Sequence, residues 1–201
     1  MAAVRDTVEV CFFAAIVFAF ALASYSRNLV WRDDLGLWGD AVRMSPLKSR
    51  GHMSLGIAYR DMGLFGLAIA ELKTAVALGD TLKARRNLAD AFRKAGMLDE
   101  AIAGFSALIE GGHDIAEFHN DIGLAYRRKG DRAAAKREFE RAAELEPGRF
   151  EARMNLGVVY GEEGLFDRAI VEFRAALSIK DTPEARRNLA TALRKAGMWD
   201  E

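Results

Sequence analysis

The chain has 201 residues, with 29 Lys and Arg against 29 Asp and Glu, so its formal net charge is zero. That balance argues against a nucleic-acid binder, which needs a basic excess. Three prolines in a chain rich in Ala, Leu, Arg and Glu disfavour a loop-rich β protein and favour helix, and a single cysteine, Cys11, leaves no intramolecular disulfide.

The first predicted element is the uncharged run 10–26, VCFFAAIVFAFALASYS, bracketed by Glu9 and Arg27 after a short tail, 1–9. Its length is at the short end of what crosses a hydrocarbon core as a helix. A single-pass membrane anchor is the favoured reading. A cleavable signal peptide competes, because Ala21-Leu22-Ala23 offers a small-x-small site, although Arg5 is offset by Asp6 and Glu9. A buried soluble helix is the third reading, since every face of the run is apolar. Arg27, Arg32 and Arg43 after the run, against Arg5 and the terminal amine before it, lean towards cytoplasmic repeats.

Next comes a junction, 27–48, containing DDLGLWGDAVRMSP at 33–46. It reads as the second helix of a helix pair whose first helix would be the apolar run, with Trp38 large, Ala41 small and Pro46 closing it. With no Gly/Ser- or Pro-rich spacer, the coupling to the segment from residue 49 is expected to be short and stiff.

From residue 49 the chain repeats itself. DTLKARRNLADAFRKAGMLDE at 80–100 returns as DTPEARRNLATALRKAGMWDE at 181–201, and SLGIAYRDMG, DIGLAYRRKG and NLGVVYGEEG echo it at spacings of 33 or 34 residues. Such a period marks helix–turn–helix repeats. In each repeat the first helix carries an apolar-small pair: Leu55-Gly56, Leu88-Ala89, Ile122-Gly123, Leu156-Gly157, Leu189-Ala190. A large residue comes next: Tyr59, Phe92, Tyr126, Tyr160 or Leu193. A glycine then ends the helix at Gly63, Gly96, Gly130, Gly164 or Gly197, where a left-handed backbone suits glycine. The second helix places Ala68, Ala101, Ala135 or Ala169 four residues before Leu72, Phe105, Phe139 or Phe173, on one face. Pro147 closes the third repeat.

These residues resemble the tetratricopeptide-repeat (TPR) family from about residue 47 onward. The resemblance implies an all-α fold, a right-handed solenoid of antiparallel helix pairs, here preceded by one transmembrane helix. The array occupies 49–201, as 49–82, 82–115, 116–149, 150–183 and a partial 183–201. The sequence stops where the second helix of the fifth repeat would begin, so a fragment is the expected reading. The junction also resembles the boundary between the last transmembrane helix and the repeats in polytopic TPR-containing O-mannosyltransferase-like proteins. That likeness implies extracytoplasmic repeats, against the charge bias, and leaves open that the chain is the docking part of a membrane glycosyltransferase.

No catalytic centre, metal site or cofactor site is expected. His52, His113 and His119 are scattered, none pairs at i, i+4 with another histidine or with cysteine, and they read as solvated or helix-surface side chains. The glycines do not form a phosphate loop. Asp99 and Glu100 read as helix-start capping groups.

The candidate site is the inner face that the family resemblance assigns to the first helices. One position per repeat gives Ser54, Asn87, Asp121, Asn155 and Asn188, similar to the asparagine ladder lining the superhelix of O-GlcNAc transferase. An amide side chain carries the acceptor and donors that match a peptide backbone. Arg86, Arg93, Arg127 and Arg187 lie beside the ladder, with Lys94, Arg128, Arg194 and Lys195 near them, and suit carboxylates. The pairing of Lys with Asn that clamps chaperone tails is missing: Arg86 with Asp90 and Arg187 with Thr191 stand there. The expected function is a membrane-anchored scaffold. Its expected partners are proteins or peptides, acidic extended segments among the candidates, plus the membrane through 10–26, with no nucleic acid and no small-molecule substrate.

Overall fold

The computed structural model describes residues 15–20, 22 and 34–198, and among these residues all regular structure is helical. Ten helices run from Asp34: α1 Asp34–Met44, α2 Ser49–Asp61, α3 Phe65–Leu78, α4 Leu82–Ala95, α5 Leu98–Glu110, α6 Ala116–Lys129, α7 Arg132–Leu145, α8 Phe150–Glu162, α9 Phe166–Ile179 and α10 Pro183–Ala196. The chain divides into two compact units, Met1–Asp80 and Thr81–Glu201. The first contains α1–α3 and the second α4–α10.

In the second unit each helix packs on the next in chain order, and α8 also touches α6 and α10. Contacts confined to neighbours are how stacked helix pairs build a solenoid. In the first unit α1 packs on α2 and α2 on α3. Ser49 Oγ donates to Ala75 O at 2.7 Å, tying the start of α2 to the end of α3.

The helix ends follow from local chemistry. Thr81, Asp131 and Thr182 cap α4, α7 and α10 by accepting from the backbone N–H three residues on, at 3.2, 2.9 and 3.2 Å, and Pro183 sits at the first position of α10, where no N–H is needed. The turn after α4 shows how the first helices stop. Gly96 has φ 82°, its N–H bonds to Arg93 O, and Met97 N–H bonds to Phe92 O at 3.0 Å. The large residue of each first helix thus also supplies the carbonyl that closes the turn, and the bond recurs from Leu64 to Tyr59, Asp131 to Tyr126, Leu165 to Tyr160 and Met198 to Leu193.

The pairs are held by a close crossing. A Cβ on Gly56 would stand 2.7 Å from Leu72 Cγ, one on Gly123 2.6 Å from Phe139 Cε1, and one on Gly157 2.7 Å from Phe173 Cε1. These distances leave no room for a methyl group, so the absent side chain admits the large one. The α4/α5 pair solves the same problem in reverse. Its first helix carries Ala89, and its second carries Gly104, where a Cβ would lie 2.9 Å from Ala89 Cβ. The other second helices have Glu71, Glu138 and Glu172 at that place. Phe105 and Phe139 are wholly buried and Phe173 nearly so.

Those glutamates have a use that corrects the reading of the histidines as scattered surface groups. His52 and His119 occupy the same position in their repeats, two periods apart, and Arg153 occupies it in a third. His52 bonds Glu71 at 2.6 Å and Pro46 O at 2.8 Å; His119 bonds Glu138 at 2.6 Å and Asp114 at 2.7 Å. Arg153 donates to Glu172 at 2.9 Å and to Pro147 O at 3.2 Å. Each side chain fastens its own helix to its partner helix and to the preceding loop. Desolvation lowers the His52 pKa, but the bonds to Glu71 and Pro46 O outweigh it and hold it above its ordinary value. Asp99 and Glu100 lie in the first turn of α5, yet Met97 is the cap residue and no side chain caps it; Asp99 instead pairs with Lys129.

Residues 15–20 and 22 are helical, with Val17, Phe18, Phe20 and Leu22 between 51 and 71 % exposed. Among the described residues no helix is long and apolar enough to cross a membrane. The rest of the run 10–26, and the part of the junction before Asp34, lie outside the described residues. Within the junction α1 is helical as expected, Trp38 is half-buried, and none of the residues of α1 is fully buried.

Substituting Gly123→Leu drives a branched side chain into the Phe139 ring and is expected to destabilise the fold by about 1–3 kcal/mol. Urea denaturation followed by far-ultraviolet circular dichroism measures this. An unchanged midpoint would show that the crossing is looser than described.

Candidate functional site

All eight expected groove residues fall in the second unit, on its first helices: Arg86, Asn87 and Arg93 on α4, Asp121 and Arg127 on α6, Asn155 on α8, Arg187 and Asn188 on α10. The first helices approach one another directly, α6 to α8 and α8 to α10, whereas no comparable approach is found between α5, α7 and α9 among the described residues. First helices that touch from pair to pair form one layer of the stack, and these residues stand on the helices of the first-helix set.

The face they form is not uniform. Over α4 and the Glu117–Asp121 stretch of α6 it is largely taken up by internal ion pairs. Arg86 pairs with Glu117. Arg93 meets Asp90 at 2.5 Å, and its Nε stands 3.5 Å from Asp121 Oδ1 as a buried donor without a hydrogen-bond partner. Lys94 lies 3.8 Å from Asp90, and Arg128 Nη1 donates to Arg93 O at 2.6 Å. Asn87 Nδ2 turns back on its own helix, donating to Lys83 O at 2.8 Å. The basic lining expected from the sequence is therefore largely neutralised at this end.

Asp121 sits among these charges. Desolvation raises its pKa most, the nearby Arg93 opposes this, Asp90 and Glu117 add to the rise, Arg86 again opposes, and the carboxyl ends at about 6. In the middle of the face Asn155 Nδ2 donates to Asn120 Oδ1 at 2.9 Å. Asn120 is 5 % exposed and is absent from the residues that the sequence singled out. It stands where the other repeats carry Met53, Arg86, Met154 and Arg187, and that departure from the pattern was the available signal.

Towards α10 the face opens. Asn188, Thr191, Lys195 and Glu162 line a cavity of about 250 Å³ together with the apolar Val158, Phe166 and Phe173. Lys195 Nζ stands 5.6 Å from the centre of the Phe166 ring. Arg127 is half-buried and Arg187 exposed, and among the described residues neither makes an ion pair. An apolar floor with amide, hydroxyl and ammonium groups at its edge can seat a side chain while its rim bonds main chain. In the first unit Ser54 lines a separate cavity with Trp38, Ile57 and Met62. Among the described residues no three His, Cys, Asp or Glu side chains converge on a point that could hold a metal ion.

A profile described as Tetratricopeptide repeat matches residues 53–114 and 120–182, well over half of the chain. Among solved structures the chain is similar to MamA, at 25 % identity and a TM-score of 0.65, covering 76 % of this chain and 84 % of that one. It is also similar to a thermophilic TPR protein of Thermus thermophilus, at 24 % identity and a TM-score of 0.65 over 89 % and 95 % of the two chains. A third is YrrB, a TPR protein with an unusual peptide-binding site, at 18 % identity and a TM-score of 0.60 over 81 % and 85 %. The profile match begins after the junction at 33–46, so the likeness of that junction to O-mannosyltransferase-like proteins gains nothing from it.

Asp121 gives the site a pH signature. Its folded pKa, about 6, exceeds the ordinary 3.8, so its contribution to stability is fully present below about 3.8 and is lost as pH rises through about 6. Asp121→Asn removes that dependence. Between pH 4 and pH 7 the variant is expected to gain stability relative to the parent in denaturant melts; parallel curves would place the carboxylate in a wetter setting.

Proposed function

The chain belongs to the tetratricopeptide-repeat family, and we propose that it is a protein-interaction scaffold holding an extended peptide segment along the first helices of its second unit, beside a membrane. The observation that carries this reading is the graded face: closed by internal pairs from Arg86 on α4 to Asp121 on α6, open at Arg127, Arg187 and the cavity beside α10. Asn188, Thr191 and Lys195 bond the main chain of the segment, and a side chain enters the cavity above Phe173. Arg127 and Arg187 favour a segment with carboxylates and make binding depend on salt. Arg86, Arg93 and Asn87, with partners already in place, act as the wall of the groove, and Asn155 serves through Asn120. YrrB supports the reading at the level of the fold alone.

The charges set the sizes. Removing a neutral hydrogen bond costs about 0.5–1.5 kcal/mol and removing a bond to a charged group about 1.5–3 kcal/mol. A peptide captured from lysate and identified by mass spectrometry is titrated against the parent, Asn188→Ala, and Arg127→Ala with Arg187→Ala. The asparagine change is expected to weaken binding at low and high salt alike. The double arginine change is expected to lose most at low salt. Binding that survives both changes would put the partner elsewhere on the repeats.

We infer that the run 10–26 supplies the membrane attachment, because Val17, Phe18, Phe20 and Leu22 present an apolar helical surface without protein cover. The protein is expected to stay in the pellet through carbonate washing, and Ile16→Arg with Phe18→Arg to release it, since each charge costs about 2.5–3.5 kcal/mol near a bilayer centre. Release of the unaltered chain by the wash would contradict attachment through this run.

A further inference from the structure

The turn between α1 and α2 departs in charge from its counterparts in the other repeats. Counted back from Ser54, Asn87, Asp121, Asn155 and Asn188, which hold one position per repeat, its residues 43–50 correspond to 76–83, 110–117, 144–151 and 177–184. Leu47 stands where the others have Asp80, Asp114, Gly148 and Asp181. Arg50 stands where they have Lys83, Glu117, Glu151 and Glu184. The stretches 110–117, 144–151 and 177–184 each hold more carboxylates than Lys and Arg, and 76–83 sets Asp80 against Lys83. In contrast, 43–50 holds Arg43, Lys48 and Arg50 and no carboxylate.

The departure lies on the surface. Met44 is 63 % exposed, and Leu47 is 81 % exposed, the highest value for a large apolar side chain among the described residues. Arg43, Lys48 and Arg50 are exposed beside them in the turn. Arg43 pairs with Asp40 one helical turn back; among the described residues Lys48 and Arg50 make no ion pair. The turn is held from within. Ser45 N–H bonds to Ala41 O at 3.0 Å, Lys48 N–H to Ser45 O at 3.2 Å, and the His52 ring to Pro46 O at 2.8 Å. Packing within the fold thus gives no reason for leucine at 47, where the counterparts are aspartate or glycine.

Exposed apolar side chains set among cations suit a lipid surface, where apolar groups enter the headgroup layer and cations meet anionic headgroups. A soluble acidic partner would account for the cations but not for Met44 and Leu47. The run 10–26 belongs to the same unit as this turn. We propose that the turn 43–50 rests on an anionic membrane surface, with Met44 and Leu47 in the headgroup layer and Arg43, Lys48 and Arg50 on the lipid charges. The proposal rests on the reading of 10–26 as the membrane attachment and adds which surface of the first unit faces the lipid. Met62, 62 % exposed just past the other end of α2, stays in water, because the 13 residues of that helix carry it about 20 Å from the turn.

The test uses the full chain with Cys11→Ser and either Leu47→Cys or Met62→Cys, each labelled with an environment-sensitive fluorophore. It is reconstituted into vesicles of phosphatidylcholine with and without phosphatidylserine. With phosphatidylserine the label at 47 is expected to shift to the blue and to be quenched by nitroxide-bearing lipid, while the label at 62 does neither. High salt is expected to reverse the shift, and Arg43→Gln, Lys48→Gln and Arg50→Gln together to abolish it. If the chain floats with vesicles of either kind while the label at 47 stays in water, the proposal is overturned and attachment through 10–26 stands. If the chain floats only with anionic vesicles and the label at 47 shifts, the turn holds the surface and attachment through 10–26 fails. A chain that floats with neither overturns both readings. A shift produced by soluble poly-glutamate and not by anionic vesicles would assign the turn to an acidic protein instead, and equal shifts at 47 and 62 would show that the turn is not the contacting surface; either result overturns the proposal.

Discussion

The close crossing inside each helix pair is the constraint on which the other features depend. An absent side chain on one helix admits a phenyl, leucyl or, in α4/α5, alanine methyl group from the other, and the distances of 2.6 to 2.9 Å that an added Cβ would make show how little slack remains. Because solenoid stability is mainly a sum of such neighbouring interfaces, the crossing fixes the spacing at which the first helices present their outer side chains. Arg93 reaches Asp121, and Asn155 reaches Asn120, from one first helix to the next.

The Ala89/Gly104 exchange shows that the constraint concerns the pair and not a position. Volume added to one helix is removed from the other, as close-packed interiors require. The exchange also displaces the glutamate that elsewhere fastens His52, His119 or Arg153 to the partner helix. That leaves α4 and α5 with a different set of polar ties from the other pairs. The first helices of the second unit then divide between a charge-paired end and an open end, and the proposed peptide binding is assigned to the open end.

Much of the fold was legible in the sequence because its signals are local and recur in phase. The glycines that end the first helices, the small residue before each crossing and the large residue that meets it each answer to a backbone or packing requirement within one repeat. The candidate site was less legible. A repeat period says where Asn155 stands in its own helix, but not that Asn120, 35 residues earlier, lies within hydrogen-bonding reach. Arg86 and Arg93 read as groove cations, yet Glu117 and Asp121 of the following repeat take their charge. For His52 and His119, i, i+4 spacing tests only for metal ligands; their shared position within the repeat is what carries their common role.

The most direct test of the crossing as the governing constraint is a double-mutant cycle on the α4/α5 pair, with stability measured by urea denaturation. Gly104→Glu alone is expected to destabilise by about 1–3 kcal/mol through overpacking. Ala89→Gly alone is expected to cost roughly 1 kcal/mol through helix propensity. Combined, they rebuild the arrangement of the other pairs, and the loss is expected to fall well below the sum, with a coupling of about 0.5–3 kcal/mol. Losses that simply add would show that the two residues do not share one space, and that the pairs are held together by something other than the crossing.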